Sequence, residues 1–200
     1  KRFKRYSGGV YKVVTSRGCP HACTYCVNNF LRRCYGRWGV RRRSPEHIIT
    51  ELELALSEGP RLEYVGFDDD CFLACSNAYM EEFAALYKER IGKPFIAKGT
   101  PRYFTREKMD MAVDAGLVWA NMGLQSGCDR VCADVYDRRI TAREFIEAAK
   151  LIHEYPVAPY YDVIVDNPFE STQETLETVE TLMATPRPYY LLIFSLSLYY

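Results

Sequence analysis

The sequence predicts an α/β protein with a parallel sheet, because two kinds of segment alternate along the chain. Short apolar runs rich in β-branched or aromatic residues are followed by longer amphipathic stretches, as in repeated strand–helix units. The candidate strands are residues 10–15, 62–67, 94–99, 117–124, 160–165 and 189–196. Parallel strands require right-handed crossovers. The sheet is therefore either doubly wound or curled into a full or partial barrel.

Capping residues mark the starts of four helices between these strands. Ser44 precedes Pro45, which pairs an N-cap hydroxyl with proline at the first helical position. Thr105, Thr141 and Ser171 each precede a first turn that contains glutamate. A hydroxyl at the N-cap accepts a hydrogen bond from a free N–H group of the first turn. We therefore expect helices to begin directly after these four residues.

Length and composition fit one globular domain, since the chain has 200 residues, 48% of them hydrophobic and 26% charged. Eight cysteines without a leader segment indicate a reducing, cytoplasmic setting with thiols free to bind metal. The longest apolar run, residues 189–200, is shorter than the roughly 20 residues that span a bilayer, so we expect no membrane span. The chain lacks an initial methionine and ends within a strand-like run, so we expect an excerpt of a longer protein.

Positive charge is concentrated in one acid-free segment of a chain whose net charge is zero. Its arginines are Arg32, Arg33, Arg37, Arg41, Arg42 and Arg43. Guanidinium groups match phosphate oxygens, so this segment fits a nucleic acid or a nucleotide-like cofactor. Charge runs are more often solvated loops, and both interpretations stay open.

Chemically unusual stretches follow five of the candidate strands at their carboxyl ends. They are GCPHACTYC, DDDCF, KGTPR, QSGCD and DNPFE, in chain order. Ligands gather at the carboxyl ends of the strands in both candidate architectures. The sequence therefore predicts one site at one rim of the sheet.

Three cysteines of the first stretch, Cys19, Cys23 and Cys26, have the spacing C-x3-C-x2-C. Disulfides need even numbers of thiols, and closed structural zinc sites need four ligands. A 4Fe–4S cluster held by three cysteines leaves one iron free to bind a small molecule. The alternative is a zinc knuckle that recruits Cys34 or His21 as its fourth ligand.

This segment resembles the signature of the radical S-adenosylmethionine (SAM) superfamily, in which an aromatic residue, here Tyr25, precedes the last cysteine. RRRSPEHIITELE, FDDDCF, GLQSG and YDVIVDNPFEST follow in the order found in the subgroup that usually carries a cobalamin-binding domain. The resemblance implies a radical SAM core domain over residues 1–200, folded as a partial (β/α)6 TIM-like barrel. It also implies a flanking cobalamin-binding or other domain in the longer chain.

The resemblance further implies that Cys19, Cys23 and Cys26 bind a 4Fe–4S cluster whose free iron binds SAM. An electron from the reduced cluster then cleaves SAM to methionine and a 5'-deoxyadenosyl radical, which abstracts hydrogen from an unreactive carbon. The electron calls for a reductant such as flavodoxin or ferredoxin. Cobalamin, if used, is bound mainly by a domain outside this chain, because these residues contain no D-x-H-x-x-G element.

The resemblance also assigns SAM contacts. Tyr25 lies near the adenine, and Asp69 and Asp70 accept the SAM ammonium group; the alternative is that these aspartates cap a helix or face solvent. Gln125 and Ser126 contact the ribose or carboxylate, although a simple turn also explains GLQSG. Ile164 packs against the adenine, in an element whose usual glycines are replaced here by aspartates and whose glutamate is retained. Lys98, Arg102 and Arg139 are further candidate cations for the SAM carboxylate.

Four other cysteines form two more C-x3-C pairs beyond strand ends. They are Cys71 with Cys75, and Cys128 with Cys132. Free cysteine is commonly a small buried hydrophobic residue. We therefore expect packing residues here, with a second cluster as the alternative.

The function that the resemblance favours is cobalamin-dependent methylation of an unactivated carbon by a radical SAM enzyme. Within the superfamily, the alternatives are methylthiotransfer to tRNA or protein and a radical ring-forming or rearranging reaction. From another class, the alternative is a non-catalytic iron–sulfur electron carrier or a metal-stabilised binding module. The sequence names no substrate, and we assign no catalytic side chain.

Overall fold

The computed structural model describes residues 9–36, 39–58 and 62–197. Its strands are β1 (Val10–Val13), β2 (Ser16–Arg17), β3 (Arg41–Arg42), β4 (Tyr64–Phe67), β5 (Phe95–Gly99), β6 (Leu117–Gln125), β7 (Ala158–Val165) and β8 (Tyr190–Ser195). Its α-helices are α1 (Val27–Tyr35), α2 (Pro45–Glu58), α3 (Asn77–Arg90), α4 (Arg106–Asp114), α5 (Ala142–Ile152) and α6 (Thr172–Ala184). A 3-10 turn (Pro101–Tyr103) and a π-helical segment (Val131–Val135) complete the described elements.

The main sheet has six parallel strands in the order β1-β4-β5-β6-β7-β8. This order follows the chain without a reversal, whereas a doubly wound sheet reverses direction at a switch point. The sheet is therefore singly wound, as in a (β/α) barrel. No pairing joins β1 to β8 among the described residues, so the barrel is partial, as predicted.

The outer face of the sheet packs against the helices and forms the hydrophobic core. Phe67, Phe83, Tyr87 and Phe95 are fully buried, and each ring of this group lies 5.1–6.3 Å from its neighbours. Truncation of a buried phenylalanine to alanine costs about 3–5 kcal/mol. This core fixes the curvature of the sheet and hence the position of the rim.

The inner face of the sheet carries polar side chains, because alternate residues of a strand point to opposite sides. Lys98, Asn121 and Asp162 line a cavity on this face. Asn121 Nδ2 donates a hydrogen bond to Asp162 Oδ1 at 2.9 Å. Burial raises the pKa of Asp162, although the bond from Asn121 and the charges of Lys98 and Arg138 oppose that shift. Apolar and aromatic side chains line the same cavity, so the inner face below the rim is mixed in polarity.

All four predicted helix starts are confirmed. The side chains of Thr105, Thr141 and Ser171 accept hydrogen bonds from backbone N–H groups in the first turns of α4, α5 and α6. Ser44 Oγ accepts from His47 N at 3.4 Å, and α2 begins at Pro45. Among the described residues, none of the helices combines the length and the apolar character needed to cross a bilayer.

The short antiparallel ribbon of β2 and β3 was not predicted. Its strands have two residues each, which is too short for a periodic pattern. β1 ends at Val13, two residues before the predicted limit, and the ribbon begins at Ser16. Between them, the backbone N–H and the hydroxyl of Thr15 bond to the side chain of Asp69. The ribbon then carries the chain toward the cysteine loop.

Candidate active site

The three signature cysteines line one cavity of about 430 Å³ at the carboxyl ends of the strands. Cys26 N donates to Cys23 O at 3.1 Å, and Asn29 N donates to Cys26 O at 3.0 Å. These bonds turn the loop directly into α1, which begins after Cys26. Arg32 of this helix donates back to Cys19 O. Hydrogen bonds therefore hold both ends of the loop.

Asp69 holds the start of this loop and does not line the cavity. Its carboxylate is buried and accepts hydrogen bonds from Thr15 N at 3.0 Å, from Thr15 Oγ1 at 2.8 Å and from Ser16 Oγ. A buried carboxylate is stable when hydrogen bonds occupy its oxygens. The structure therefore places Asp69 in the support of the loop, away from the position expected for a contact to SAM.

Asp70, the next residue, lines the cavity together with the three cysteines. Its side chain is exposed, and none of the described residues forms a hydrogen bond or ion pair with its carboxylate. Asp68 instead pairs with Lys12 at 3.1 Å and Lys98 at 3.2 Å, which lower its pKa against the opposing effect of burial. Of the three consecutive aspartates, Asp70 alone has a carboxylate available to a ligand in this cavity.

The three thiols are donors that suit an iron–sulfur cluster. Burial raises the pKa of Cys19, but a coordinating metal removes the proton from a thiol outright. Within residues 9–36, 39–58 and 62–197, no three His, Cys, Asp or Glu side chains converge as around one metal ion. His21 Nε2 instead bonds to Thr100 Oγ1 at 3.1 Å.

A buried cation that the sequence did not single out also lines the cavity. Arg138 is 5% exposed and lies beyond the π-helical segment. Its Nη2 donates to Gly123 O at 2.6 Å and its Nη1 to Tyr25 Oη at 3.3 Å, but its Nε has no partner. No carboxylate in the described part of the chain forms an ion pair with Arg138. Because a buried unpaired charge is costly, this guanidinium indicates an anionic ligand.

Arg138 was missed because its neighbour is equally basic. The sequence DRRI offers two arginines, and Arg139 was the predicted candidate. Arg139 is exposed and pairs at 3.7 Å with the exposed Asp137. Arg102, another predicted candidate, pairs at 2.8 Å with Glu144. Only the burial of Arg138, which depends on the tertiary fold, distinguishes it from these.

Gln125 and Tyr25 lie where two cavities meet. Both line the main cavity and a second one of about 350 Å³, which also contacts Ile164. Gln125, the last residue of β6, has φ 71°, in the left-handed region that few non-glycine residues adopt. The ring of Tyr25 packs edge-on against Tyr136, with 5.0 Å between centroids. The predicted residues Tyr25, Gln125 and Ile164 therefore share one space.

Ser126 faces away from this space. Its side chain is buried, and Oγ bonds to Glu170 Oε1 at 2.9 Å and lies 3.3 Å from Thr178 Oγ1. These bonds join the end of β6 to the loop before α6 and to that helix. Ser126 therefore supports the rim and lies outside the two cavities. Asp166, at one of the positions where the resemblance has glycine, has φ 59°, a conformation typical of glycine.

The remaining cysteine pairs lie outside both cavities. Cys71, Cys128 and Cys132 are buried and Cys75 is half-buried. Burial raises the pKa of Cys71 to about 12 and that of Cys132 to about 11. The expectation that these residues serve packing stays a prediction.

The fold and the site together suit a cofactor-dependent enzyme. A partial barrel that holds three free thiols and a buried cation at one rim suits a metal cluster beside an anionic organic ligand. The family model for the radical SAM superfamily matches residues 13–182. The chain belongs to this superfamily, and the family implies a 4Fe–4S cluster and SAM as cofactors.

The names of the curated relatives describe more than one reaction, as two of these relatives show. An uncharacterised methyltransferase of Pyrococcus horikoshii is 24% identical over 169 residues, which cover 84% of this chain and 35% of the relative. A tRNA-2-methylthio-N(6)-dimethylallyladenosine synthase of Desulfosudis oleivorans is 28% identical over 191 residues, which cover 88% of this chain and 38% of the relative. The chain thus spans little more than a third of these relatives.

Among solved structures, the cobalamin-dependent SAM radical enzyme OxsB, with aqua-cobalamin and SAM bound, matches with a TM-score of 0.75. The match covers 89% of this chain and 27% of OxsB at 18% identity. At this identity the match shows the fold, and it confirms the partial barrel.

Proposed function

We propose that this chain is the SAM-cleaving domain of a cobalamin-dependent methyltransferase that acts on an unactivated carbon. The observation that carries the proposal is the joint presence of three cysteines and the buried Arg138 in one cavity. An electron carrier needs the cluster but has no use for a buried cation facing a second ligand. The methyltransferase relative supports methyl transfer. OxsB, described as a cobalamin-dependent enzyme and similar in fold, supports the use of cobalamin, bound mainly by a domain outside this chain.

The cysteine loop would hold the cluster. Cys19, Cys23 and Cys26 supply three thiolates, and Asp69 and Arg32 fix the loop that carries them. When bound, the cluster supplies the electron that cleaves SAM to methionine and a 5'-deoxyadenosyl radical. The contribution of this chain is to orient both cofactors and to exclude competing reactions.

The rim would bind the amino acid part of SAM through opposite charges. Arg138 donates from its unpartnered Nε to the SAM carboxylate, which removes the cost of its burial. The free carboxylate of Asp70 accepts the ammonium group. Gln125 offers its amide to the ribose hydroxyls, and the second cavity, beside Tyr25 and Ile164, takes the adenine. Asp69 and Ser126 act through the residues they support.

The test compares Arg138→Met with Arg138→Lys after anaerobic reconstitution. Loss of a hydrogen bond to a charged group, about 1.5–3 kcal/mol, lowers SAM affinity by about ten- to a hundredfold in Arg138→Met. Arg138→Lys keeps the charge and retains part of the affinity. SAM binding is measured by perturbation of the cluster spectrum, and cleavage is measured as 5'-deoxyadenosine. Unchanged affinity in Arg138→Met contradicts this assignment.

Methylthiotransfer is the second candidate, because the synthase relative aligns over 191 residues of similar sequence. The two reactions are separated with full-length protein incubated with SAM, a reductant and bulk tRNA. Methyl transfer predicts that hydroxocobalamin binds in equilibrium dialysis and that tRNA is not modified. Methylthio-adenosine in the digested tRNA, detected by mass spectrometry without added cobalamin, favours the second candidate.

A further inference from the structure

The outer side of the cysteine loop carries an exposed apolar and basic surface that the proposed SAM site does not use. Helix α1 starts one residue after Cys26, so this surface lies directly behind the loop. On it, Val27 is 51%, Phe30 60% and Tyr35 73% exposed. Exposed apolar residues that cluster in this way mark interaction surfaces. We call the surface formed by Val27, Phe30, Leu31, Tyr35, Arg17 and Arg41 the α1 patch.

The basic part of the α1 patch is unusual in its pairing. Arg17 of β2 and Arg41 of β3 lie directly opposite each other in the ribbon, an arrangement that is destabilising for like charges. Both side chains are exposed, and within the described residues neither forms an ion pair or a hydrogen bond. By contrast, Arg42 and Arg43 of the same segment are engaged, with Thr15 and Glu51 respectively. Two free cations held side by side fit an anionic partner.

A groove connects the α1 patch to the proposed SAM cavity. It has a volume of about 950 Å³ and contacts Val27, Leu31, Arg17 and Arg41. Asn28 and Asp70 line both the groove and the cavity. A protein that seats a protruding loop in this groove comes close to the cysteines without entering the space assigned to SAM. This is the geometry that electron delivery to a cluster requires.

We propose that the α1 patch is the docking surface for an acidic, low-potential electron-transfer protein that carries a flavin or an iron–sulfur centre. The inference rests on the proposed function, because that function needs one electron per SAM cleaved. The donor loses one electron and the cluster gains it, with no other bond made. Two exposed arginines beside exposed apolar side chains fit such a transient partner, whose interfaces are small, below about 1,200 Å².

The test uses reconstituted full-length protein and reduced flavodoxin. In Arg17→Gln/Arg41→Gln, electrostatic steering is weakened, so we expect flavodoxin to reduce the cluster about tenfold more slowly at low salt. At high salt the difference disappears, because screening has already removed the attraction. Reduction by dithionite, a small ion, stays at the wild-type rate. Arg143→Gln/Lys150→Gln, the same charge change on the exposed surface of α5, is the matched control and keeps the wild-type rate with both reductants.

A binding measurement separates this proposal from the proposed function. Titration calorimetry with oxidised flavodoxin requires no SAM cleavage, and we expect weaker binding in the patch variant and in Phe30→Asp. The proposal is overturned if flavodoxin affinity and reduction rate match wild type in both variants. It is also overturned if the variants lose affinity for tRNA but keep the wild-type affinity for flavodoxin. If dithionite-reduced wild type makes no 5'-deoxyadenosine, the proposed function fails, and the flavodoxin titration still decides the docking surface.

Discussion

Asp69 and Asp70 are adjacent in sequence, but the structure predicts opposite consequences for their replacement. Asp69→Ala removes the acceptor of three hydrogen bonds, those from Thr15 N, Thr15 Oγ1 and Ser16 Oγ. Each buried donor left without a partner costs at least about 1 kcal/mol. The free energy of unfolding should therefore fall by about 3 kcal/mol. Asp70→Ala removes an exposed side chain and should change it by less than about 0.5 kcal/mol.

The difference is large enough for a thermal unfolding assay. For a chain of this size, 1 kcal/mol corresponds to about 2–4 °C in Tm, so Asp69→Ala should lower Tm by about 6–12 °C. Asp70→Ala should unfold within about 2 °C of wild type. SAM binding should show the reverse order after reconstitution, with a clear loss in Asp70→Ala. In Asp69→Ala, any loss of SAM binding should follow the loss of iron.

Two results would refute this reasoning. A Tm for Asp69→Ala equal to that of wild type would mean that the three hydrogen bonds do not hold the loop. Full cluster content with lost SAM affinity in Asp69→Ala would place this carboxylate in the SAM site. Asp69→Asn serves as the conservative control, because its amide can still bond to all three groups if both hydroxyls rotate.

Three further predictions concern the rim and its supports. Replacement of Cys71, Cys75, Cys128 and Cys132 together by alanine should leave iron and sulfide per chain unchanged, and a proportional fall in both would reveal a second cluster. Gly127→Ala should destabilise the fold by about 1–3 kcal/mol in urea unfolding, because its Cβ would lie 2.6 Å from Thr178 Cα. Gly66→Ala is the control and should be nearly neutral, because the atom nearest to its Cβ would lie 3.5 Å away. The hydrogen bond from Arg130 and the α6 capping box lower the pKa of Glu174 to about 2. The contribution of Glu174 to the free energy of unfolding should therefore be complete above about pH 4.3 and lost toward pH 2. A Glu174→Gln variant whose free energy of unfolding falls with acid in the same way as that of wild type would contradict this.

The fold followed closely from the sequence because each local signal agreed with the global arrangement. Alternating apolar runs located all six strands of the main sheet, and the N-caps Thr141 and Ser171 located helices to the residue. The ribbon of β2 and β3 was missed because two-residue strands carry no period. Strand order, which decides between a barrel and a doubly wound sheet, depends on pairing over long separations that the pattern does not encode.

The site was only partly predictable, because residue type does not determine direction. The spacing of Cys19, Cys23 and Cys26 placed them on one loop at the rim. The sequence could not show that Asp69 points to Thr15 and Asp70 to the cavity, since consecutive residues beyond a strand face different surroundings. Nor could it separate Arg138 from its equally basic neighbour, because that difference arises from burial in the tertiary fold.

Anaerobic reconstitution followed by reduction in the presence of SAM decides whether this chain binds a SAM-cleaving cluster. We expect one oxygen-sensitive 4Fe–4S cluster bound by the signature cysteines and formation of 5'-deoxyadenosine. Cluster and product should both be lost in Cys19→Ala, Cys23→Ala and Cys26→Ala. Stoichiometric zinc without an iron chromophore in protein prepared without oxygen would show that the thiols bind a different metal, and a cluster that survives all three replacements would show that other residues hold it.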